Sequence, residues 1–453
     1  MKSLIPIYYY KDLSKEEIIE KCKRPSFEDK EAFKIAEEII EKIKVGGKKA
    51  LKEITLQLDK YDPEPLVLTK KDFDVAEELL KQEEKEAFQE AAKNIRIFHE
   101  FQKSNLKDDK INLSEITLGY IYRPIESAAV YVPGGKAIYP SSVLMGVIPA
   151  KIAGVKYVSI VTPADSEGKI HPAVLYCAKI SGADAILRVG GAHGIAAAYL
   201  GIDVEPAQII VGPGNRYVTA AKTLLSATGK VKIDQPAGPS EVLIIADHNA
   251  NPKFVAADLL SQAEHGEDSI CVLLTDSIVL AEEVIKEIEL GFKERPKRLE
   301  IKKESITKNS YIILFDKFVE IDEQKKTKKI TSDFLRAFDF INEFAPEHLE
   351  ICLNIFDDLE KYLDYIQSAG SVFIGKYAPV ALGDYFSGTN HILPTGGAAK
   401  MYSGLGVDTF LKRITWQNTT KEGLKKSSKY IDIMSKIEGL DQEHGHSVLI
   451  RTK

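Results

Sequence analysis

From about residue 128 onward, short apolar runs alternate with helical stretches, and that alternation limits the possible folds more than any other feature. Residues 128–132, 155–161, 185–189 and 209–211 read as strands, and helices follow from about Ser141, Pro172, His193 and Arg216. Strands joined through helices pair in parallel and are covered on both faces, so their sequences are apolar throughout rather than alternating. The same register resumes at 242–246 and continues through 270–274, 311–315, 349–353 and 371–374. The segments "VKYVSIVTPADS" and "EDSICVLLTDS" occupy comparable places in the two sets, which hints at two related α/β units. A chain of 453 residues has room for two or three domains. Before the first set, residues 26–103 carry Phe33, Ile35, Ile39, Ile40 and Ile43 at helical spacing amid Glu and Lys, predicting a pair of long helices. Residues 1–27 form a short lead-in with Tyr8, Tyr9 and Tyr10. Residues 294–333, rich in Lys and Glu, read as a solvated insertion, and residues from 405 on read as a helical tail.

With 61 basic and 67 acidic residues and a net charge of -6, the chain lacks the basic face of a general phosphate-backbone binder, so no nucleic-acid partner is expected. None of Cys22, Cys177, Cys271 and Cys352 forms a CxxC pair, which argues against a disulfide framework or a thiolate zinc site. Cys177 reads as a small buried residue, with a catalytic thiol as the alternative. No run of about 20 apolar residues and no cleavable leader are present, so no membrane span and a cytoplasmic location are expected.

Chemistry concentrates in a few segments. The run Phe344-Ala-Pro-Glu347-His348 sets a carboxylate beside an imidazole, which suits a reaction that moves protons more than once. The bland alternative is a solvated Glu and a packed His at a strand start. Three glycine-rich turns follow predicted strands: Pro133-Gly-Gly135-Lys136, Gly190-Gly-Ala-His193-Gly194 and Gly212-Pro-Gly214-Asn215-Arg216. Each is either a tight connection or a place where backbone and a helix N-terminus approach a phosphate. None is the usual G-x-G-x-x-G, so a dinucleotide would bind in a non-standard way. Gln262 and His265, three residues apart, share one face of a helix that Gly266 would end. The polar loop from Gly383 to Gly397 holds Asp384 and His391. Gln262, His265, Asp384 and a late His compose a nitrogen and oxygen set that suits Zn²⁺. Polar residues at a helix end and a stabilised turn cluster are the plainer readings of the same segments.

Six of these segments, in this order, resemble the histidinol dehydrogenase family: "YVPGGKAIYPSSVLM", "VGPGNRYVTAAK", "DQPAGPSEVLIIAD", "DLLSQAEHG", "FAPEHLEI" and "GDYFSGTNHILPTGGAAKMYSGLGVDTF". The resemblance covers the chain from about residue 30 to its end. It implies NAD⁺-linked oxidation of L-histidinol to L-histidine, one zinc ion per subunit, and a homodimer whose active site is completed by the other subunit's tail. It implies zinc on Gln262, His265, Asp384 and His444, and an acid–base pair of Glu347 and His348. Ser240, His391 and Glu438 would contact substrate together with the zinc ligands and His348, and Tyr131, His193 and Asn215 would contact NAD⁺. The domain division expected on this basis is a lead-in at 1–27 and a discontinuous zinc and catalytic α/β domain at 28–130 plus 240–404. The NAD⁺-binding α/β domain would be 131–239 and the dimer-contacting tail 405–453. Both α/β domains would be incomplete Rossmann-like α/β/α units with parallel sheets. Two departures stand out. Position 193 is His where the family usually has Gln, and the tail is one residue longer between Glu438 and His444. Counting back from Arg451 selects His444 over His446, while counting from Glu438 does not settle it. A related dehydrogenase acting on another small alcohol, and a silent zinc- and nucleotide-binding protein, are the competing readings.

Overall fold

The alternation seen in the sequence produces two separate six-stranded sheets. The computed structural model describes residues 4–22, 24, 29–134, 138–235, 238–322, 324 and 327–453. Gly135 and Lys136 of the first glycine-rich turn, and Glu323, Lys325 and Lys326 of the charged run, lie outside the described residues.

The first sheet runs, in spatial order, Val67–Thr69, Ala185–Leu187, Tyr157–Val161, Ser127–Tyr131, Ile209–Val211 and Lys232–Ile233. All neighbours pair in parallel except Val67–Thr69, which is antiparallel to Ala185–Leu187. Helices Pro140–Ala153 and Pro172–Ser181 cover one face, with Gln82–Ser104 packed outside them. Helices Gly191–Leu200, Arg216–Ser226 and Lys30–Leu58 cover the other.

That arrangement corrects the domain division. Residues 28–130 do not belong with 240–404; both long helices and strand Val67–Thr69 complete the 131–239 unit. The apolar stripe Ala32, Ala36, Ile40 and Ile43 is buried against the alanine-rich helix Gly191–Leu200 and helix Arg216–Ser226. Helical periodicity announces a face that must be buried, but it does not say against what.

The second sheet runs Ile7–Tyr9, Tyr311–Leu314, Ile270–Thr275, Glu241–Ala246, His348–Cys352 and Ser371–Ile374, parallel throughout. The lead-in is therefore an edge strand of this unit and not a separate region. Helices Pro252–Ala263 and Ile278–Glu294 pack on one face and Ser332–Phe344 on the other. The charged stretch forms an antiparallel hairpin, Val319–Asp322 with Thr327–Ile330.

The tail is also not wholly helical. Leu411–Thr419 is a strand pairing with Ile116–Pro124, which pairs in turn with Asp109–Leu113. Helices Lys421–Ile437 and His446–Thr452 then fold against each other. Ile414, Trp416, Tyr430, Ile433, Met434 and Ile437 remain exposed. Among the described residues no helix is long and apolar enough to cross a membrane.

Candidate active site

Helix Ser332–Phe344 ends at Ala345, whose φ of 48° is left-handed, and Pro346 cannot extend it. The chain turns there into strand His348–Cys352, so Glu347 and His348 stand at the amino end of the second sheet, beside Val242. Both side chains are held by the main chain of one residue, Glu241. The N–H of Glu241 donates to Glu347 Oε2 at 2.9 Å, and His348 Nδ1 lies 2.9 Å from the Glu241 carbonyl. A carbonyl can only accept, so Nδ1 carries the hydrogen and Nε2 keeps its lone pair. Nε2 is buried without a hydrogen-bond partner and lies 3.9 Å from Asp384 Oδ1. Burial, reinforced by the nearby His265 and His391, lowers the His348 pKa to about 4, so the ring is a neutral base at neutral pH. Burial also raises the Glu347 carboxyl well above the usual range, with the Glu241 and Asp384 charges adding to the effect.

Asp384 sits in the short helix Val380–Tyr385, and burial alone pushes its carboxyl up to about 7. Its main-chain oxygen accepts from His391 Nδ1 at 3.1 Å, and His391 Nε2 lies 3.1 Å from the Ser142 hydroxyl. Burial lowers His391 to about 4. The Asn390 amide donates to the Met145 carbonyl at 2.7 Å, so this loop ties the second unit to helix Pro140–Ala153 of the first. Helix Pro252–Ala263 ends before His265, whose N–H bonds the Gln262 carbonyl at 3.2 Å; the shared face is thus a helix end and its first turn outward, not continuous helix. Burial lowers the His265 pKa. Gln262 is 2% exposed, and its amide nitrogen has no partner.

The carboxyl ends of the first sheet's strands face these groups. A cavity of about 300 Å³ is lined by Gly214 and Asn215 from one unit and by Ser240, His265, Glu347 and His391 from the other. Ser240, His265 and Asn215 also line an adjoining pocket of about 350 Å³ that includes the N-terminus of helix Arg216–Ser226. His265 and Asp384 line a third, of about 1030 Å³. Asn215 caps its helix, its side-chain oxygen accepting from the N–H groups of Tyr217 and Val218. Gly212, at φ +112°, lets this turn pass the Tyr131 carbonyl; an added Cβ would lie 2.1 Å from that oxygen. The buried pair Lys222 and Asp234 clamps the turn, with the Gly212 N–H donating to Asp234 at 2.6 Å and Lys222 donating to the Gly212 carbonyl at 2.9 Å. Gly212→Ala is expected to cost more than about 2 kcal/mol of stability through strain and clash, as read by denaturant unfolding.

Tyr131 and His193 lie behind this surface. The Tyr131 hydroxyl accepts from the Gly191 N–H at 3.1 Å, and His193 Nε2 lies 2.9 Å from Asp59 Oδ2 at the end of helix Lys30–Leu58. Both are buried. Glu438 and His444 are exposed on the tail, which contacts the first unit's antiparallel strands, and neither lines the cavities described. Among the described residues no three His, Cys, Asp or Glu side chains of one chain converge as a metal cage. Asp384, a buried carboxyl, fits a cation together with His265, which lines the same pocket; Gln262 would join them through its amide oxygen. Sequence reasoning missed Arg24, Ser142, Asp234 and Glu241. Only Glu241 left a signal, as a carboxylate heading an otherwise apolar buried strand.

Two α/β units meet at cavities lined by residues from both, with a buried imidazole and buried carboxyls beside them, an arrangement typical of an enzyme of the α/β class. The histidinol dehydrogenase family profile matches residues 22–452. A histidinol dehydrogenase from Leptospira interrogans is 49% identical over 417 residues, covering 91% of each chain. The chloroplastic histidinol dehydrogenase of Arabidopsis thaliana is 42% identical over 98% of this chain and 91% of its own. A crystal structure of histidinol dehydrogenase from Elizabethkingia anophelis superposes with a TM-score of 0.89 at 37% identity, covering 100% of this chain and 98% of that one. The chain belongs to the histidinol dehydrogenase family and is an oxidoreductase.

Proposed function

We propose that the protein oxidises L-histidinol through L-histidinaldehyde to L-histidine, with NAD⁺ as electron acceptor and one zinc ion per subunit of a homodimer. The observation that carries this reading is the unpaired Nε2 of His348, a neutral buried base 3.9 Å from Asp384 and adjacent in the chain to Glu347, which lines the cavity shared with Asn215. Gln262, His265 and Asp384 would hold zinc together with His444 of the other subunit. When bound, zinc would fix the amino and imidazole nitrogens of the substrate and so orient it. Ser240, His391 and Glu438 would complete the substrate's surroundings.

In the first oxidation His348 takes the hydroxyl proton while hydride leaves the carbon for NAD⁺. Glu347 then takes a proton from the water that adds to the aldehyde. With its first proton released to solvent, His348 would take the hydrate's hydroxyl proton while a second hydride leaves for a second NAD⁺, giving the acid. Burial, which raises the Glu347 carboxyl, makes it a stronger base toward that water than a solvated carboxylate. Keeping the aldehyde in a closed cleft limits its loss between steps. On the nucleotide side Asn215 and the helix N-terminus behind it would meet NAD⁺. Tyr131 and His193 would act from behind, through the turn at Gly191.

Zinc must displace the proton that Asp384 holds below its raised pKa of about 7. Zinc affinity of the metal-free protein is therefore expected to fall by up to about tenfold per unit as pH drops from 7 to 5. Competition with a chromophoric chelator measures this. Chelation should also abolish turnover and zinc restore it. Affinity independent of pH over that range, with activity indifferent to chelator, would remove the metal assignment.

A further inference from the structure

The buried ion pair between Arg24 and Glu241 takes no part in the steps above, yet it stands directly behind the catalytic side chains. The Glu241 side chain is fully buried and that of Arg24 is 16% exposed. Arg24 Nε lies 2.7 Å from Glu241 Oε1, and Nη2 donates to Oε2 at 2.9 Å. The Gly396 N–H donates to Oε1 at 3.2 Å, and the Arg24 guanidinium lies 3.7 Å from the centre of the Phe344 ring. One carboxylate thus joins the lead-in, the start of a central strand and the loop that carries Asp384 and His391. Phe344 adds the segment leading into Glu347.

The main-chain groups of Glu241 also meet two side chains at the start of the facing strand. Here the N–H meets the Glu347 carboxyl and the C=O meets the His348 ring. The strand register on that side begins only at Val242 opposite His348. The main-chain conformation at Glu241 therefore decides where both proton carriers point, and its side chain is what pins that residue at the sheet margin. We propose that Glu241, held by Arg24, is a positioning residue that aims Glu347 and His348 at the substrate. This inference rests on the proposed roles of those two residues.

Removing one member of a buried pair strands the other charge, so single neutral variants risk misfolding. The double variant Arg24→Met/Glu241→Gln removes both charges at similar volume. Its kcat for L-histidinol is expected to fall by about 10²-fold, the size of effect that a small misplacement of reacting groups produces. KM for L-histidinol, zinc content and melting temperature should stay close to wild type. A general structural role would instead move KM and melting temperature together with kcat. Arg24→Lys, which keeps the charge but not the planar guanidinium that bonds Glu241 and lies over Phe344, covers the case in which the double variant does not fold; it should lose about tenfold in kcat at unchanged KM. Wild-type kcat in whichever of these variants folds, or a loss that tracks melting temperature, overturns the positioning role. A wild-type protein that does not oxidise L-histidinol would instead overturn the functional reading itself.

Discussion

Replacing His348 with Asn is expected to lower turnover of L-histidinol by about 10²–10⁴-fold, the range for loss of a general base. Asn is the informative substitution because its amide can still donate to the Glu241 carbonyl that now holds His348 Nδ1. The local structure is kept while the free lone pair at Nε2 is lost. In the proposed mechanism that nitrogen is the base, and burial, which lowers the ring's pKa to about 4, keeps it unprotonated. A lowered pKa means that the neutral form persists as pH falls from 7 toward 4, so His348 itself imposes no acid limb on the rate above about pH 5. Steady-state kinetics with a melting curve for each variant check this. Unchanged turnover in folded, zinc-loaded protein would take His348 out of the mechanism.

The second large effect concerns the tail. Glu438 and His444 are exposed in the single chain, and the tail presents Trp416, Tyr430, Ile433 and Met434 to solvent. If the tail completes the site of another subunit, Glu347→Gln and His444→Ala chains should each be inactive alone and regain activity when mixed. In a mixed dimer one site receives both defects and the other receives none. Random exchange should then restore about a quarter of wild-type activity. Were each site built from a single chain, every site in the mixture would carry one defect. No recovery after verified exchange of subunits would contradict the shared site.

Both sheets were legible in the sequence because parallel strands buried on two faces read as apolar runs, as residues 242–246 and 270–274 do. What escaped were strands that do not look like that. Ile7–Tyr9 and Val67–Thr69 are only three residues long and sit at sheet edges. Leu411–Thr419 is exposed along nearly all its length, so its polar residues concealed a nine-residue strand. The partner of helix Lys30–Leu58 escaped for a different reason, since an amphipathic stripe fits any apolar face.

Within the site, motif resemblance picked out Ser240, His265, Glu347 and His391, and the fold brings them to one cavity with Asn215. His348 and Asp384 approach each other at 3.9 Å. What could not be read were contacts made by backbone groups or across long separations in the chain. Glu241 acts through its main chain, Arg24 reaches it from 217 residues away, and Ser142 meets His391 across 249. His193 shows the converse. It differs from the family's usual Gln, and here its ring is engaged by Asp59 instead of facing the cleft.

The most direct test of the central claim is the amount of NADH formed per L-histidinol consumed, in zinc-supplied buffer with NAD⁺ in excess. Two NADH for each substrate, with L-histidine as the product, is the predicted result and would establish the four-electron oxidation. One NADH with aldehyde accumulating would contradict the two-step mechanism assigned to Glu347 and His348. No NADH from folded, zinc-loaded protein would contradict the assignment of L-histidinol as substrate.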